Sequence, residues 1–108
     1  MADFIEIHFT SGSLDEARKI ARYLVQERYV AGAQIIPWFE SIYMLDNELD
    51  TTQESKIILQ TVSDNFNQIR EIIEQNNRYE VPEIIWFKIE GGNESYMKWL
   101  EESTLVKK

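Results

Sequence analysis

The sequence predicts an α+β fold, and three observations support this class. The chain has 108 residues, of which 44% are hydrophobic and 12% aromatic, a composition typical of one globular domain. Stretches with the alternation of β-strands are interspersed with stretches that have the spacing of amphipathic helices. Their order along the chain is β-α-β-β-α-β-α. We therefore expect a single domain over residues 1–108.

The first predicted strand runs from Phe4 to Thr10, because apolar residues alternate there with polar ones. Ser13 is expected to begin a helix, and Glu16 three residues later completes a capping-box pattern. The positions that follow at helical spacing place an apolar stripe toward the core. They are Leu14, Ala17, Ala21, Leu24, Val25 and Arg28, of which the apolar members form the stripe.

Two long β-type stretches follow, over residues 31–45 and 48–62. Asp46 and Asn47 between them favour a tight turn, since both residue types tolerate a positive φ. Pro37 cannot donate a hydrogen bond to a neighbouring strand. We therefore expect a long hairpin in which Pro37 lies at an edge, a bulge or a bend.

The last third of the chain predicts a helix, a strand and a short helix. Asp64 is expected to cap the second helix, which ends at Asn76-Asn77. The strand from Pro82 to Glu90 is apolar on both faces at its centre, which predicts a place inside the sheet. Gly91-Gly92 ends that strand. Asn93 is expected to cap the final helix, which docks through Tyr96, Trp99 and Leu100. Two β-α-β halves on one antiparallel sheet form the ferredoxin-like plan.

The predicted hairpin is too long for its domain. A domain of this size has a radius of gyration of about 13 Å, whereas a fifteen-residue strand spans about 50 Å. An exposed two-stranded ribbon with apolar faces is unstable and prone to aggregate. A closed ring of identical chains is the simplest cover. The interface residues expected on the ribbon are Trp38, Phe39, Ile42, Tyr43, Met44 and Leu45.

An alternative remains open from the same residues. In this alternative, Pro37 splits the stretch over residues 31–45 into two short strands of a compact monomer. The length argument also does not distinguish a trimer from a dimer.

Composition excludes several functions. The chain has no cysteine and one histidine, so thiol chemistry and a zinc site made of several imidazoles are excluded. A net charge of −8 disfavours nucleic acid, and no apolar run is long enough to span a membrane. The amino terminus lacks a basic region followed by an apolar stretch, from which we expect a cytoplasmic protein.

No catalytic constellation is evident. His8 has no second imidazole or nucleophile pattern to work with, and Ser41 and Thr61 lack a base. The acidic residues around the hairpin turn are expected to be solvated. Pro82 fixes the start of a strand and would hold Tyr79 and Glu83 near the mouth of a crevice. We therefore expect no enzyme.

Several segments match a known pattern in order. Residues 27–37 read Glu-Arg-Tyr-Val-Ala-Gly-Ala-Gln-Ile-Ile-Pro, and Ser-Ile-Tyr follows at 41–43. Residues 79–84 read Tyr-Glu-Val-Pro-Glu-Ile, with Gly-Asn at 92–93 and Tyr-Met-Lys-Trp-Leu at 96–100 behind them. Together these segments resemble the CutA divalent-cation tolerance family over nearly the whole chain.

The resemblance implies a ferredoxin-like cytoplasmic protein that forms a homotrimer and is linked to tolerance of copper and other divalent cations. It implies no established reaction, and a divalent cation such as Cu2+ is the only cofactor it suggests. The family's metal-ligand positions correspond here to Phe9, Asn76 and Glu83, so only the carboxylate is retained. Copper prefers softer or nitrogen ligands. At a subunit interface, Glu83 is expected to line a small pocket with Tyr79 and Gln60.

The sequence also allows an alternative function. In this alternative the chain is a PII-like trimeric sensor or scaffold, which binds a small molecule in the clefts between subunits and signals to an unknown protein partner.

Overall fold

The computed structural model describes residues 3–107. Its elements are β1 (Phe4–Ser11), α1 (Leu14–Gln26), β2 (Gly32–Leu45), β3 (Glu48–Val62), a 3-10 turn (Ser63–Asn65), α2 (Phe66–Asn76), β4 (Ile84–Lys88) and α3 (Glu94–Ser103). The strands form one sheet in the order β2-β3-β1-β4, and every neighbouring pair is antiparallel. This arrangement confirms the predicted α+β, ferredoxin-like fold. No helix within residues 3–107 has the length and apolar character needed to cross a membrane.

The core lies between one face of the sheet and the helices α1 and α2. Alternate residues of β1 and β3 point into it, and the apolar stripes of the two helices cover them. Each such side chain, when fully buried, contributes about 1.5–3 kcal/mol relative to exposure. The completely or almost completely buried members are Ile5, Ile7, Phe9, Ala17, Ile20, Ala21, Leu24, Val30, Ile57, Leu59, Ile69 and Ile73.

The opposite side of the sheet, here called the open face, has no helix over its centre. Cross-strand pairing places Glu6 and His8 of β1 beside Phe87 and Ile85 of β4 on this face. His8 Nε2 lies 2.6 Å from Glu6 Oε1. One end of this face is covered, where the Trp99 ring of α3 lies over Gly32 and a Cβ added at Gly32 would lie 3.1 Å from the ring.

The first helix has well-defined ends. Ser13 Oγ accepts a hydrogen bond from the Glu16 backbone N–H at 3.2 Å, which confirms the predicted N-cap. The Glu16 carboxylate accepts from the Ser11 hydroxyl at 2.6 Å, so the capping box is modified. At the other end α1 stops at Gln26, so the prediction that the helical spacing continues to Arg28 is wrong.

Arg28 instead ends the helix in a left-handed conformation, with φ of 59°. Its N–H donates to the Val25 carbonyl at 3.1 Å, and the next N–H, of Tyr29, donates to the Leu24 carbonyl at 2.9 Å. This pair of bonds is a Schellman motif, which glycine usually occupies at this position. Arginine reaches the same bonds at a conformational cost.

The hairpin confirms the sequence-based prediction. Asp46 and Asn47 have φ of 51° and 66°, as a two-residue turn of type I′ requires. Pro37 lies in a β-bulge, where the pairing shifts between Ile36 and Phe39 and Trp38 has φ of 61°. Pairing resumes at Phe39 and continues to the turn, so the alternative of two separate short strands is wrong.

The hairpin makes the molecule elongated. The principal extents are 46 × 25 × 20 Å, and the radius of gyration is 14.7 Å, above the roughly 13 Å of an average domain this size. The hairpin therefore extends beyond the body of the domain, as its length predicts.

Two further predictions are wrong. The fourth strand spans only Ile84–Lys88 and lies at an edge of the sheet, where it pairs with β1 alone. Its apolar residues on both faces, such as Trp86 and Phe87, are therefore about half exposed in the single chain. Asp64 does not cap α2, because it lies inside the 3-10 turn and no side chain caps that turn.

Asn65 holds the chain's last segment in place, and Asn93 begins the helix that precedes it. Asn65 is fully buried. Its side-chain amide donates to the carbonyls of Tyr29 (2.9 Å) and Leu105 (2.6 Å), and its Oδ1 accepts from the Lys107 N–H (2.7 Å). Asn93 occupies the N-cap position of α3, as expected, but its side chain donates to Ser95 Oγ and not to the helix backbone. The carboxyl-terminal segment is therefore fixed chiefly by Asn65.

We expect Arg28→Gly to stabilise the protein by about 0.5–1 kcal/mol, because glycine adopts the left-handed conformation without the cost that a Cβ imposes. Denaturant unfolding followed by circular dichroism measures the change. The matched control is Arg22→Gly on the exposed side of α1, which should destabilise by about 1 kcal/mol. Equal destabilisation by both substitutions would contradict the assigned helix end.

Candidate functional site

A cleft of about 470 Å3 lies between the base of the hairpin and the segment that precedes β4. Eleven residues line it: Thr10, Phe39, Ser41, Ile42, Tyr43, Thr52, Glu54, Lys56, Tyr79, Val81 and Glu83. We call this space the hairpin cleft. A larger groove of about 820 Å3 runs between α1 and α2, but its charged groups include the ion pair of Glu16 with Arg78, and neither Tyr79 nor Glu83 reaches it.

Asn77 and Gly12 hold Tyr79 at the edge of the cleft. The Asn77 side-chain amide donates to the Thr10 carbonyl at 2.9 Å, and its Oδ1 accepts from the Tyr79 N–H at 2.9 Å. A Cβ at Gly12 would lie 2.9 Å from the Tyr79 hydroxyl oxygen. Because φ of Gly12 is not positive, the glycine is needed for space and not for backbone conformation.

The Tyr79 hydroxyl is buried beside the Glu54 carboxylate and makes no well-formed hydrogen bond among residues 3–107. Burial raises the pKa of this hydroxyl well above the ordinary value of 10, and the nearby Glu54 carboxylate raises it further. The phenol therefore stays protonated at neutral pH. It presents a neutral O–H group to the cleft.

Lys56 lines the cleft beside Glu83. Its Nζ lies 3.7 Å from Glu83 Oε2 and 5.5 Å from the centre of the Phe39 ring. Both side chains of the ion pair are partly exposed, so this pair alone contributes about 0–1 kcal/mol to stability. Its importance lies in the charge that it places beside Glu83.

Glu54 lies on the same side of β3 as Lys56 and directly opposite Phe39. Within the described chain, no basic nitrogen comes within 4.0 Å of its carboxylate, since Glu54 takes part in none of the ion pairs there. Two carboxylates and one ammonium line the cleft, which leaves it one negative charge.

The structure brings together some of the residues that the sequence singles out, and separates others. Tyr79 and Glu83 share the hairpin cleft. Gln60 lies outside it, further along β3, where it is nearly fully buried and donates from Nε2 to Gln34 Oε1 at 3.3 Å. Its contacts are with Gly32 and Gln34 and not with the cleft.

The three positions that correspond to the family's metal ligands do not converge. Phe9 is completely buried in the core, and the Asn76 side chain donates to the Ile72 carbonyl of its own helix. Glu83 lines the hairpin cleft, whereas Asn76 lines the separate groove between α1 and α2. Within residues 3–107, no three His, Cys, Asp or Glu side chains are grouped to hold a metal ion. The residues present therefore do not fit a copper site, which needs thiolate or imidazole ligands.

Sequence reasoning missed Glu54 and Lys56. Their signal was the alternation Thr52, Glu54, Lys56, which places three polar side chains on one face of β3. Recognising them as part of a site required the register that sets Glu54 opposite Phe39. That register depends on the bulge and is not evident from the sequence.

The outer part of the hairpin is exposed and apolar. Trp38 is 67% exposed, Met44 is 63% and Leu49, which sequence reasoning did not single out, is 72%. Ile42, Tyr43 and Leu45 are also exposed, whereas Phe39 is half-buried at the cleft. The Tyr43 hydroxyl lies 2.6 Å from Thr52 Oγ1 across the two strands.

Three features define the class to which this small ferredoxin-like protein belongs. They are an antiparallel sheet with two helices on one face, a hairpin that extends beyond the body of the domain, and a cleft at the base of that hairpin. Comparison with known proteins agrees. The family described as CutA1 divalent ion tolerance protein matches residues 5–103. The chain therefore belongs to the CutA1 family.

Individual relatives are similar over most of this chain. The divalent-cation tolerance protein CutA of Thermus thermophilus is 37% identical over 95 residues, which cover 88% of this chain and 92% of that protein. The chloroplastic CutA protein of Arabidopsis thaliana is 31% identical over 93% of this chain. The match covers only 55% of the Arabidopsis protein, so the chain spans about half the length of that relative.

The fold is shared at the level of coordinates. The crystal structure of CutA1 from Oryza sativa aligns with a TM-score of 0.93 and 28% sequence identity, covering 98% of this chain and 97% of that chain. The long hairpin is therefore part of the common architecture.

We expect Gly12→Ala to destabilise the protein by about 1 kcal/mol, because the new Cβ displaces the Tyr79 hydroxyl. The same substitution in a Tyr79→Phe background should cost clearly less, and unfolding of the four proteins of this double-mutant cycle measures the coupling. Gly91→Ala is the matched control, since no atom lies within 4 Å of its added Cβ. Strictly additive effects would show that Gly12 does not position Tyr79.

Proposed function

We propose that the chain acts as a non-enzymatic homotrimer in tolerance of divalent cations, as a single domain over residues 1–108. The observation that carries self-association is the exposed apolar surface of the hairpin, and the number of three chains follows the family resemblance. The two strands have 14 and 15 residues, and large apolar side chains of the outer half are exposed. A two-stranded ribbon of this kind is not stable alone in water.

Burial against sister chains supplies the missing stability. Each large apolar side chain moved fully out of water contributes about 1.5–3 kcal/mol. The expected interface residues Trp38, Ile42, Tyr43, Met44 and Leu45 are all exposed in the single chain. Even partial burial of these five side chains would contribute several kcal/mol, a substantial fraction of the roughly 5–15 kcal/mol by which a domain is normally stable.

The sheet edges support a ring. Strands β2 and β4 lie at opposite edges, and each leaves one side of its backbone unpaired. Apolar residues of both strands, Ile36 and Phe87 among them, stand on the open face. A cyclic assembly whose open faces pack around a common axis covers these residues and leaves fewer free edges.

The role in divalent-cation tolerance is proposed from the names of the relatives. Direct binding, if it contributes, involves Glu83 and Glu54, which offer oxygen ligands. Carboxylates alone hold Cu2+ poorly, and the Lys56 ammonium beside Glu83 opposes a second positive charge. We therefore propose that metal binding by this chain is weak and that copper is not a tightly held cofactor.

The proposal of a non-enzymatic protein is supported by the position of His8. This histidine is the only one in the chain, and it pairs with Glu6 on the open face, away from the cleft. The cleft itself contains no histidine to act as a base for its hydroxyl groups. A cytoplasmic location stays a prediction, since the Arabidopsis relative is named chloroplastic.

A second candidate function is favoured by the hairpin cleft. The buried Tyr79 hydroxyl and the Glu54 carboxylate, which has no basic partner within 4.0 Å in the described chain, line a space of small-molecule size. This arrangement supports the PII-like alternative, in which a ligand in the cleft changes how the trimer meets a partner.

The purified protein is expected to have about three times the chain mass of 12.8 kDa by light scattering or sedimentation. Leu49→Glu should weaken the assembly, because it places a charge in the apolar interface. Leu105→Glu is the matched control, since that leucine is also exposed but lies outside the hairpin. A folded 12.8 kDa particle at micromolar concentration would refute the trimer.

Calorimetric titration with Cu2+, Zn2+ and Mg2+ is expected to give dissociation constants of about a millimolar, as for weak carboxylate sites. Glu83→Gln should weaken this binding further, because it removes the one retained family ligand. Glu80→Gln removes an exposed carboxylate outside the cleft and should change nothing. Micromolar copper binding that survives Glu83→Gln would point to other ligands and contradict the proposed weak site.

A further inference from the structure

We propose that the hairpin cleft binds a small organic molecule through a primary ammonium group, seated against the Glu54 carboxylate and the Tyr79 hydroxyl. This assigns a chemical class of ligand to the cleft. The proposal goes beyond divalent-cation tolerance and does not depend on metal binding. It rests on a proposed trimer that leaves the cleft open, since Phe39, Ile42 and Tyr43 belong both to the cleft and to the expected interface.

The chain's own lysine shows how the cleft accommodates an ammonium group. Lys56 Nζ has the Glu83 carboxylate at 3.7 Å on one side and the Phe39 ring centre at 5.5 Å on another. A carboxylate together with an aromatic face is the arrangement that recognises ammonium cations in proteins. Lys56 thus fills one ammonium position and neutralises Glu83.

A second position is left without a cation. Glu54 is partly buried and lacks a basic partner within 4.0 Å in the described residues. Beside it lies the buried Tyr79 hydroxyl, which is close enough to interact with the Glu54 carboxylate but makes no well-formed hydrogen bond there. A primary ammonium has three N–H donors, and both oxygens are suitable acceptors. One ammonium group can therefore contact the carboxylate and the hydroxyl together.

The charge of the cleft selects a monocation. Glu54 and Glu83 against Lys56 leave one negative charge, which one ammonium group balances. A hard divalent cation needs about six oxygen ligands. It would also meet the Lys56 ammonium beside Glu83. The cleft thus disfavours Mg2+ or Ca2+ relative to an ammonium ion.

The remaining walls suit a short carbon chain. Phe39, Ile42 and Val81 supply apolar surface, and Ser41 and Thr52 supply hydroxyls at the rim. The volume of about 470 Å3 lies within the range of small-molecule sites, roughly 300–1,000 Å3. An amine of a few carbon atoms fits this space.

The test is a titration of the full-length protein with n-butylammonium chloride, followed by nuclear magnetic resonance or calorimetry. We expect saturable binding, with shifts confined to the residues of the cleft. Sodium chloride at equal ionic strength, n-butanol and sodium butyrate are the ligand controls. None of these three should saturate the same signals, because none carries an ammonium group.

Variants distinguish the proposed contacts. Glu54→Gln keeps the shape of the side chain and should weaken binding about tenfold or more, since a charge-assisted hydrogen bond is lost. Tyr79→Phe should weaken it less, by a few fold. Glu80→Gln changes the net charge equally outside the cleft and should leave binding unchanged. Thermal unfolding of each variant checks that it folds.

Three results would overturn the proposal. These are no saturable binding to the wild-type protein, equal binding to Glu54→Gln, and equal binding of n-butanol, which would reveal an apolar pocket only. Displacement of the amine by stoichiometric Mg2+ would also overturn it in favour of a divalent site. The outcome is separable from the proposed trimer and weak metal binding, because molecular mass and metal titration are measured without the amine.

Discussion

The continuous pairing of β2 with β3 is the constraint on which the rest of the structure depends. The inner half of β3 is flanked by β2 on one side and β1 on the other, and it supplies Ile57 and Leu59 to the core. The outer half is flanked by β2 alone. Since both halves belong to one strand, the fixed position of the inner half in the core sets the direction of the outer half. The domain therefore holds an extended, apolar structure that it cannot cover by itself.

The same strand also builds the cleft. Glu54 and Lys56 stand where β3 leaves the core, so their backbone is fixed by pairing with β2. Across from them, the segment that holds Tyr79 is tied to the end of β1 through Asn77. Two rigid elements thus face each other across a narrow space. Chemical selectivity then comes from a few groups, mainly two carboxylates, one ammonium and one buried phenol.

The chain keeps the family's fold, but two of the three positions that correspond to the family's metal ligands carry other residue types. Phe9 and Ile7 contribute to the same apolar layer, so a bulky ring at that position strengthens the core. Asn76 terminates its own helix by bonding to Ile72. Both positions have local structural roles here. Glu83 keeps a carboxylate but shares it with Lys56, so the chemistry of this part of the molecule is that of paired charges.

Much of the architecture could be predicted from the sequence because local signals agree with the final packing. The alternation in β1, the Ser13 cap and the Asp46-Asn47 turn each specify one conformation. The strand Ile84–Lys88 was misplaced because an apolar strand inside a sheet and an apolar edge strand have the same local pattern. Arg28 was misplaced because the left-handed helix end usually carries glycine. The cleft could be predicted only in part. Pro82 pointed to the neighbouring residues Tyr79 and Glu83, but the position of Glu54 depends on the strand register.

The bulge at Pro37 and Trp38 has a consequence for every residue beyond it. Ile36 and Phe39 are three positions apart and would lie on opposite sides of a regular strand, yet they pair with Lys56 and Glu54, which share one side. The one additional residue in the bulge reverses which side chains of the outer part of β2 point to each face of the sheet. Phe39, Ser41 and Tyr43 thereby line the cleft, and shortening the chain by one residue at this point would turn them outward. Insertions and deletions here are thus tolerated only in pairs, whereas the tip of the hairpin is free of that restriction.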